Sequence, residues 1–274
     1  MGKLEYTLVR DTLFKIYFNN NVELLKRFVT ELLGIDYDSV KAFRITNSEI
    51  PSEYVEEKFC RLDINMNVDG RVIDLEVQVR NEGYFPERTL FYWAREYSSS
   101  IGEGNTYEKL PKTIVISILD FRLFDCKEYV SEFQVLEVNR HTLLSDKFSI
   151  EFYELPKLSN SISRENMKEL WLALFSAKTE EDLTKIIELG VPIMNEAIAA
   201  YRTVTVSPEL QRLERMRSDA RHEEAQAIQH AREEGRAEKE AENTELRAII
   251  TEQEAEKSEL KAIIAELKAQ KGID

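Results

Sequence analysis

The 274 residues include 51 acidic and 37 basic side chains, and this formal net charge of −14 excludes a generic basic nucleic-acid coat. No apolar run reaches the roughly 18 residues of a membrane span, and the N-terminus lacks a signal-peptide core, so we predict a cytoplasmic protein without a membrane segment. Hydrophobic residues make up 43% of the chain, enough for a sizeable globular core. The two cysteines, Cys60 and Cys126, indicate free thiols rather than a disulfide framework.

The acidic excess is spread along the whole chain. From Pro208 onward there are 12 basic and 17 acidic residues, so the part before Pro208 carries a net charge of −9. Any contact with DNA must therefore rest on a local basic patch, or on metal ions that offset the phosphate charge.

The first two hundred residues predict a mixed α/β body, and a change of composition after Ser207 places the boundary between domains 1–207 and 208–274. The patterns predict, in chain order, a helix over 21–34, a strand over 40–45, a hairpin over 59–80, a helix from Pro86 to about 101, a strand over 113–121, strands near 129–138 and 148–155, and helices over 164–177 and 180–201. The nearly continuous apolar run of 113–121 is typical of a strand buried on both faces.

The tail over 208–274 contains an internal repeat of fourteen residues. The segment Glu245-Leu-Arg-Ala-Ile-Ile returns as Glu259-Leu-Lys-Ala-Ile-Ile, and fourteen residues are two heptads of a coiled coil. The apolar seam consists of Leu246, Ile249 or Ile250, Gln253, Leu260, Ile263 or Ile264, and Leu267. Such a stripe favours a homo-oligomer of modest strength through the C-terminal helix, because the middle of the seam is polar. A solvated single helix is the alternative.

The hairpin over 59–80 has a register that its turn defines. Asp69-Gly70 is typical of a two-residue turn with positive φ, which makes every facing pair of residue numbers sum to 139. One face is then wholly apolar, with Met66 facing Ile73 and Ile64 facing Leu75. On the opposite face the register pairs Asn65 with Asp74, Arg61 with Gln78, and Asp63 with Glu76.

The pair Asp63 and Glu76 is the first candidate site. Directly opposed side chains have Cβ atoms roughly 4.5–5.5 Å apart, so two carboxylates repel unless a cation or a proton lies between them. Oxygen-rich carboxylate sites are those that Mg²⁺ prefers. The alternative is a solvent-facing hairpin with ordinary polar residues.

Several motifs extend this pattern along the chain. Asp63, twelve intervening residues and Glu76-Val77-Gln78 resemble the signature of PD-(D/E)xK nucleases, in which an Asp and a Glu-x-Lys lie on adjacent strands. The further motifs are Asp11-Thr-Leu-Phe-Lys15, Leu62-Asp-Ile, Leu75-Glu-Val-Gln-Val79, the segment 83–95, the segment 116–121, and Phe152-Tyr-Glu-Leu-Pro156. Together they are similar to the PD-(D/E)xK transposase-like family that includes the recombination-promoting nucleases.

The resemblance implies a restriction-endonuclease-like fold, a mixed sheet flanked by helices. It also implies hydrolysis of DNA phosphodiester bonds with Mg²⁺, or alternatively Mn²⁺, in recombination or transposition. Carried over by position, Asp63 and Glu76 bind the metal with the main-chain carbonyl of Val77, and Gln78 orients the attacking water. Gln78 replaces the usual Lys and supplies no positive charge, which leaves the cation of the site unassigned.

Four residues are candidates for contacts with phosphate or DNA. Arg80 is expected to share a strand face with Glu76 and Gln78. Arg88 and Tyr92 are expected on one helical face, with Arg95 one turn further on. Lys15 is the fourth candidate, with a surface lysine whose stem packs on the protein as the alternative. For the arginines the alternative is ordinary surface charge.

Two functions from different classes follow. The first is an Mg²⁺-dependent DNA endonuclease, supported by the opposed carboxylates and the family motifs. The second is a catalytically degenerate nuclease fold that acts as an oligomeric DNA- or protein-binding factor, supported by the net negative charge, the missing Lys and the coiled-coil tail. Loss of cleavage on Asp63→Ala or Glu76→Ala would distinguish them.

Overall fold

A mixed sheet of six strands forms the centre of the body, in the order β1-β2-β3-β4-β6-β5. The computed structural model describes residues 2–46, 64–81, 83–101, 104, 106–159 and 161–271, without the side chains of 268–271. The strands are β1 (Phe43–Ile45), β2 (Ile64–Val68), β3 (Arg71–Gln78), β4 (Thr113–Leu119), β5 (Val130–Phe133) and β6 (Phe148–Glu154). β3, β4 and β6 are parallel and the other pairings antiparallel, so the carboxyl ends of the three central strands meet at one edge.

Helices flank this sheet and complete the predicted α/β fold. They are α1 (Asp11–Asn20), α2 (Val22–Leu33), α3 (Phe85–Ser99), α4 (Met167–Ser176), α5 (Glu180–Glu188) and α6 (Pro192–Thr205). A long helix, α7 (Pro208–Lys271), follows them in the chain. α2 ends where predicted, because Gly34 adopts the left-handed conformation (φ 63°) that closes a helix. The mixed sheet flanked by helices and followed by a long C-terminal helix confirms the predicted restriction-endonuclease-like fold class.

The side of the sheet that we call the core face is apolar throughout its centre. Alternate residues of β3 and β4 point there and pack in the main core with side chains of α1, α2, α4 and α6; they are Ile73, Leu75, Val77, Ile114, Ile116 and Ile118. The register of β2 and β3 agrees with the prediction, since Ile64 pairs with Leu75 and Met66 with Ile73.

The opposite side, which we call the site face, carries a second and smaller core. Val115 and Leu119 of β4 and Ile150 and Phe152 of β6 pack against Phe85 of α3. α3 therefore covers the β4–β6 part of the site face. The β3 part of the same face carries polar side chains instead, and these form the candidate site.

The turn between β2 and β3 explains why the register is predictable. Asp69 and Gly70 both have positive φ, 47° and 81°, as a two-residue hairpin of this type requires. Asp69 also accepts hydrogen bonds from the backbone N–H groups of Lys41 and Ala42, at 3.1 and 2.8 Å, which tie the turn to the segment before β1.

One helical prediction was incorrect, and one helix was not predicted. The single helix predicted over 180–201 is two helices, because Gly190 is left-handed (φ 68°) and Pro192 begins α6. α5 starts with a capping box in which the Thr179 hydroxyl accepts from Asp182 N and the Asp182 carboxylate accepts from Thr179 N. α1 was not predicted as a helix at all, although it contributes Phe14 and Phe18 to the main core.

The chain divides into two compact units, Met1–Arg215 and Met216–Asp274. The first turns of α7 belong to the first unit, because Leu210 is fully buried in the main core and Glu214 accepts a hydrogen bond from Arg10 at 2.8 Å. Within the described ranges, no helix is long and apolar enough to cross a membrane.

Candidate functional site

Glu76 lies near the end of β3 on the site face, and its side chain is almost completely buried at 6% exposure. Ser117 is its neighbour in the parallel register of β4, and the Ser117 hydroxyl donates a 2.7 Å hydrogen bond to Glu76 Oε1. Burial of a carboxylate is costly unless protein groups or a cation compensate its charge. The Ser117 hydroxyl therefore fixes the orientation of a carboxylate that the fold has removed from bulk water.

Asp74 provides a second buried carboxylate on the same strand face, at 5% exposure. It lies two residues before Glu76, so the two Cα atoms are about 7 Å apart along an extended strand. Its neighbours in register are Asn65 of β2 and Val115 of β4. The hairpin register predicts the pairing of Asp74 with Asn65, but the burial of Asp74 depends on packing that the hairpin alone does not reveal.

Gln78 is the last residue of β3 and is half-buried. Its amide Nε2 donates to the main-chain carbonyl of Arg80 at 3.2 Å, which directs the side chain along the edge of the sheet. The side chain of Val77 points to the core face and is buried. Its main-chain carbonyl as a metal ligand stays a prediction.

Asp63 lies outside the described residues, so its predicted pairing with Glu76 also stays a prediction. Among the residues that the structure does describe, no group of three or more His, Cys, Asp or Glu side chains is arranged to hold a metal ion. The residues of the site face nevertheless fit Mg²⁺ by chemistry. Adjacent strands carry side chains with oxygen atoms that can coordinate a metal, namely those of Asn65, Asp74, Glu76 and Ser117. Mg²⁺ prefers such oxygen ligands.

The predicted cations occupy different surroundings. β3 ends at Gln78, so strand alternation does not extend to Arg80, which is exposed in the bend that follows. Arg88 and Tyr92 lie half-buried on α3, as predicted for one helical face. The Arg88 guanidinium lies 4.8 Å from the centre of the Phe85 ring, which packs on β4 and β6.

Lys15 is not a surface lysine. It is 2% exposed in α1, a helix that contacts β3, so the alternative of a surface lysine whose stem packs on the protein is wrong. A buried ammonium group requires compensating partners, which makes Lys15 part of the interior of the body.

A third buried carboxylate, Glu154, has a structural role at the carboxyl edge of the sheet. It ends β6, is fully buried, and accepts hydrogen bonds from Leu123 N and from Lys157 Nζ, the latter at 2.6 Å. Its contacts hold the loop that follows β4. That loop exposes Arg122 and Lys127, together with the acidic Asp125 and Glu128.

Comparison with known proteins is consistent with this geometry. The family model described as "PD-(D/E)XK nuclease family transposase" matches residues 8–231, which include all six strands and the candidate site. No match was found among curated proteins or among solved structures. Because the family model covers most of the chain, the protein belongs to the PD-(D/E)XK nuclease family transposases.

Proposed function

We propose that this protein is a metal-dependent DNA endonuclease that hydrolyses phosphodiester bonds in recombination or transposition. Membership of the family supports a nuclease with DNA as its substrate. The observation that supports metal-dependent cleavage is Glu76, a buried carboxylate. Ser117, on the neighbouring strand, holds this carboxylate in one orientation. A stably folded strand does not need a carboxylate there, whereas a metal site does.

In this proposal Asp63, Glu76 and the main-chain carbonyl of Val77 bind Mg²⁺, or Mn²⁺ in its place. The bound metal would lower the pKa of a water molecule and stabilise charge on the phosphate. Ser117 keeps Glu76 in one orientation. Gln78 uses one amide N–H on the Arg80 carbonyl, and its amide oxygen is an acceptor with which to orient the attacking water.

Positive charge is supplied by residues around the site rather than by position 78. Arg80 is exposed beyond β3, and Arg88 with Tyr92 lies on the helix that covers the neighbouring part of the site face. We assign phosphate contacts to Arg80, Arg88 and Tyr92, and assign Lys15 to the interior. Because cationic contacts with phosphates release counterions from the DNA, binding of DNA should weaken as the salt concentration rises.

Nicking of supercoiled plasmid tests the proposal. The wild-type protein should nick with Mg²⁺ or Mn²⁺ and be inactive with EDTA, and Asp63→Ala and Glu76→Ala should each lower the rate at least about 100-fold. Glu151→Gln is the matched control, because Glu151 is a half-buried carboxylate on β6 that points to the core face. It should nick like the wild type.

The same experiment distinguishes the second function. A folded protein that binds DNA but does not nick it, or that nicks equally well without Glu76, would instead be a degenerate nuclease fold acting as a binding factor. Gln78 in place of Lys is the residue that favours this alternative.

We also propose that the helical tail after residue 207 forms a homo-oligomer, which would bring at least two nuclease sites to one DNA. The support is the apolar stripe of the tail, whose side chains remain about half exposed on the single helix. A monomeric mass for the intact protein would contradict this part of the proposal.

A further inference from the structure

The apolar stripe of α7 has no cover within the described chain. Its side chains are 45–54% exposed and of similar exposure along the stripe; they are Leu246, Ile249, Ile250, Leu260, Ile263, Ile264 and Leu267. They lie in the second compact unit, Met216–Asp274. A helix stripe of this kind gains stability when another helix covers it.

The spacing of the stripe assigns its heptad positions. Leu246, Leu260 and Leu267 are seven or fourteen residues apart and fall at position d, with Gln253 filling the remaining d position. Ile250 and Ile264 then fall at position a. β-branched residues at position a, together with Leu at position d, favour a coiled coil of two parallel helices. The other two a positions within 243–264 are Asn243 and Lys257, polar residues of the kind that fix register at some cost in stability.

The charges beside the seam discriminate between the two orientations of a second copy. In a parallel pair each residue at position g lies near the e residue five places further along the partner. Glu242 then lies near Arg247 of the partner subunit, and Glu256 lies near Lys261 of the partner subunit. Two-fold symmetry gives four attractive pairs.

An antiparallel pair with the same apolar layers reverses this result. When the apolar stripes of two antiparallel copies overlap, the numbers of facing residues sum to about 510. Each g position then lies near a g position of the partner, and each e position lies near an e position. Glu254 and Glu256 then face their own copies, and Arg247 faces Lys261 of the partner subunit. Each of these contacts is repulsive, so charge disfavours the antiparallel arrangement.

We propose that two copies of this chain pair through residues 243–267 as a parallel coiled coil in register. This inference rests on the tail association proposed above and is independent of nuclease activity. Both chains then enter the coil from the same end, and the assembly carries two copies of the Glu76 site. Such a pair suits cleavage of both strands of one duplex.

A disulfide test on the intact protein measures the orientation. In a parallel pair in register, Asn243→Cys places the two thiols at facing a positions, within reach of a disulfide. In the antiparallel pair residue 243 faces residue 267, and the two thiols are about 36 Å apart. The matched control is Thr244→Cys, one residue away at the outward b position. The wild-type protein, oxidised in the same way, shows any cross-link that Cys60 or Cys126 forms.

The expected result is a solution mass of twice 32.0 kDa and an oxidised dimer for Asn243→Cys alone. A monomeric mass would overturn both the tail association and this inference. A dimeric mass with no cross-link in the Asn243→Cys variant would overturn the parallel register and leave the tail association standing. A mass of three or more chains would overturn the two-stranded arrangement.

A charge reversal gives an independent check on the same point. Lys261→Glu should weaken a parallel dimer by about tenfold, because it opposes Glu256 of the partner subunit twice. The double variant Glu256→Lys with Lys261→Glu should restore the affinity. Stronger association of the single variant would instead indicate the antiparallel pair, in which the introduced carboxylate would face Arg247 of the partner subunit.

Discussion

Both faces of β3 bury side chains, but the buried side chains are apolar on one face and charged on the other. On the core face Ile73, Leu75 and Val77 pack among helices, and each buried side chain stabilises the body. On the site face Asp74 and Glu76 are equally buried, yet each requires compensation for its charge. One strand therefore belongs both to the core and to the candidate site, because its side chains alternate.

The carboxyl edge of the sheet contains a second contrast, between Glu154 and Glu76. Glu154 has a buried cation as partner, since Lys157 Nζ lies 2.6 Å from its carboxylate. Glu76 accepts a 2.7 Å hydrogen bond from the hydroxyl of Ser117, which orients its carboxylate. In the proposed function Glu154 stabilises the fold, whereas Glu76 binds the metal.

The largest expected effect concerns the structural carboxylate. Lys157→Met should lower the free energy of unfolding by about 3 kcal/mol, because it leaves Glu154 buried without its cation. Denaturant unfolding measures this change. An unchanged midpoint would mean that Glu154 is not held by Lys157 in solution, and the contrast with Glu76 would disappear.

The next effect concerns the orientation of Glu76. Ser117→Ala should lower the nicking rate about 10- to 100-fold while the fold is kept, as for other residues that orient a metal ligand. Ser149→Ala is the matched control, because Ser149 is a buried serine on β6 that points to the core face. Equal rates for the two variants would remove the distinction between the faces.

A smaller effect is expected outside the sheet, at the start of α5. Thr179→Ala should lower the free energy of unfolding by about 1 kcal/mol and leave nicking unchanged, because it removes only a helix cap. Burial raises the pKa of Asp182, but hydrogen bonds from Lys178 N and from Thr179 outweigh burial and lower it. This contribution is present above the ordinary pKa of Asp and is lost as the pH falls through the lowered value.

The smallest effect concerns Glu151 on the core face. Burial raises its pKa, although the Tyr153 hydroxyl donates to it at 2.7 Å and opposes the shift. A carboxyl with a raised pKa lowers the stability of the folded state as the pH rises through the interval between the ordinary and raised values. Glu151→Gln should therefore be slightly more stable than the wild type at pH 8, with no difference at pH 4. A lower stability at pH 8 would contradict this assignment.

The sequence predicted those features that depend on local chemistry. The Asp69-Gly70 turn defined the hairpin register, and Gly34 marked the end of α2, since both depend on positive φ. Pro86 marked the start of α3 to within a residue. These signals need only a few neighbouring residues, so one sequence was sufficient to read them.

The remaining features depend on packing between distant parts of the chain. The burial of Asp74 requires strands on both sides of β3, and the partner of Glu76, Ser117, lies on β4. Lysine side chains usually lie at the surface, and Lys15 is buried because α1 packs against the sheet. No local pattern carries that information.

Calorimetric titration of Mn²⁺ into the intact protein tests the central claim most directly. The wild type and Glu151→Gln should bind the ion with the same affinity and stoichiometry, whereas Glu76→Gln should lose this binding while its unfolding transition remains cooperative. Retention of wild-type Mn²⁺ binding by Glu76→Gln would contradict the assignment of the metal site to the site face of β3.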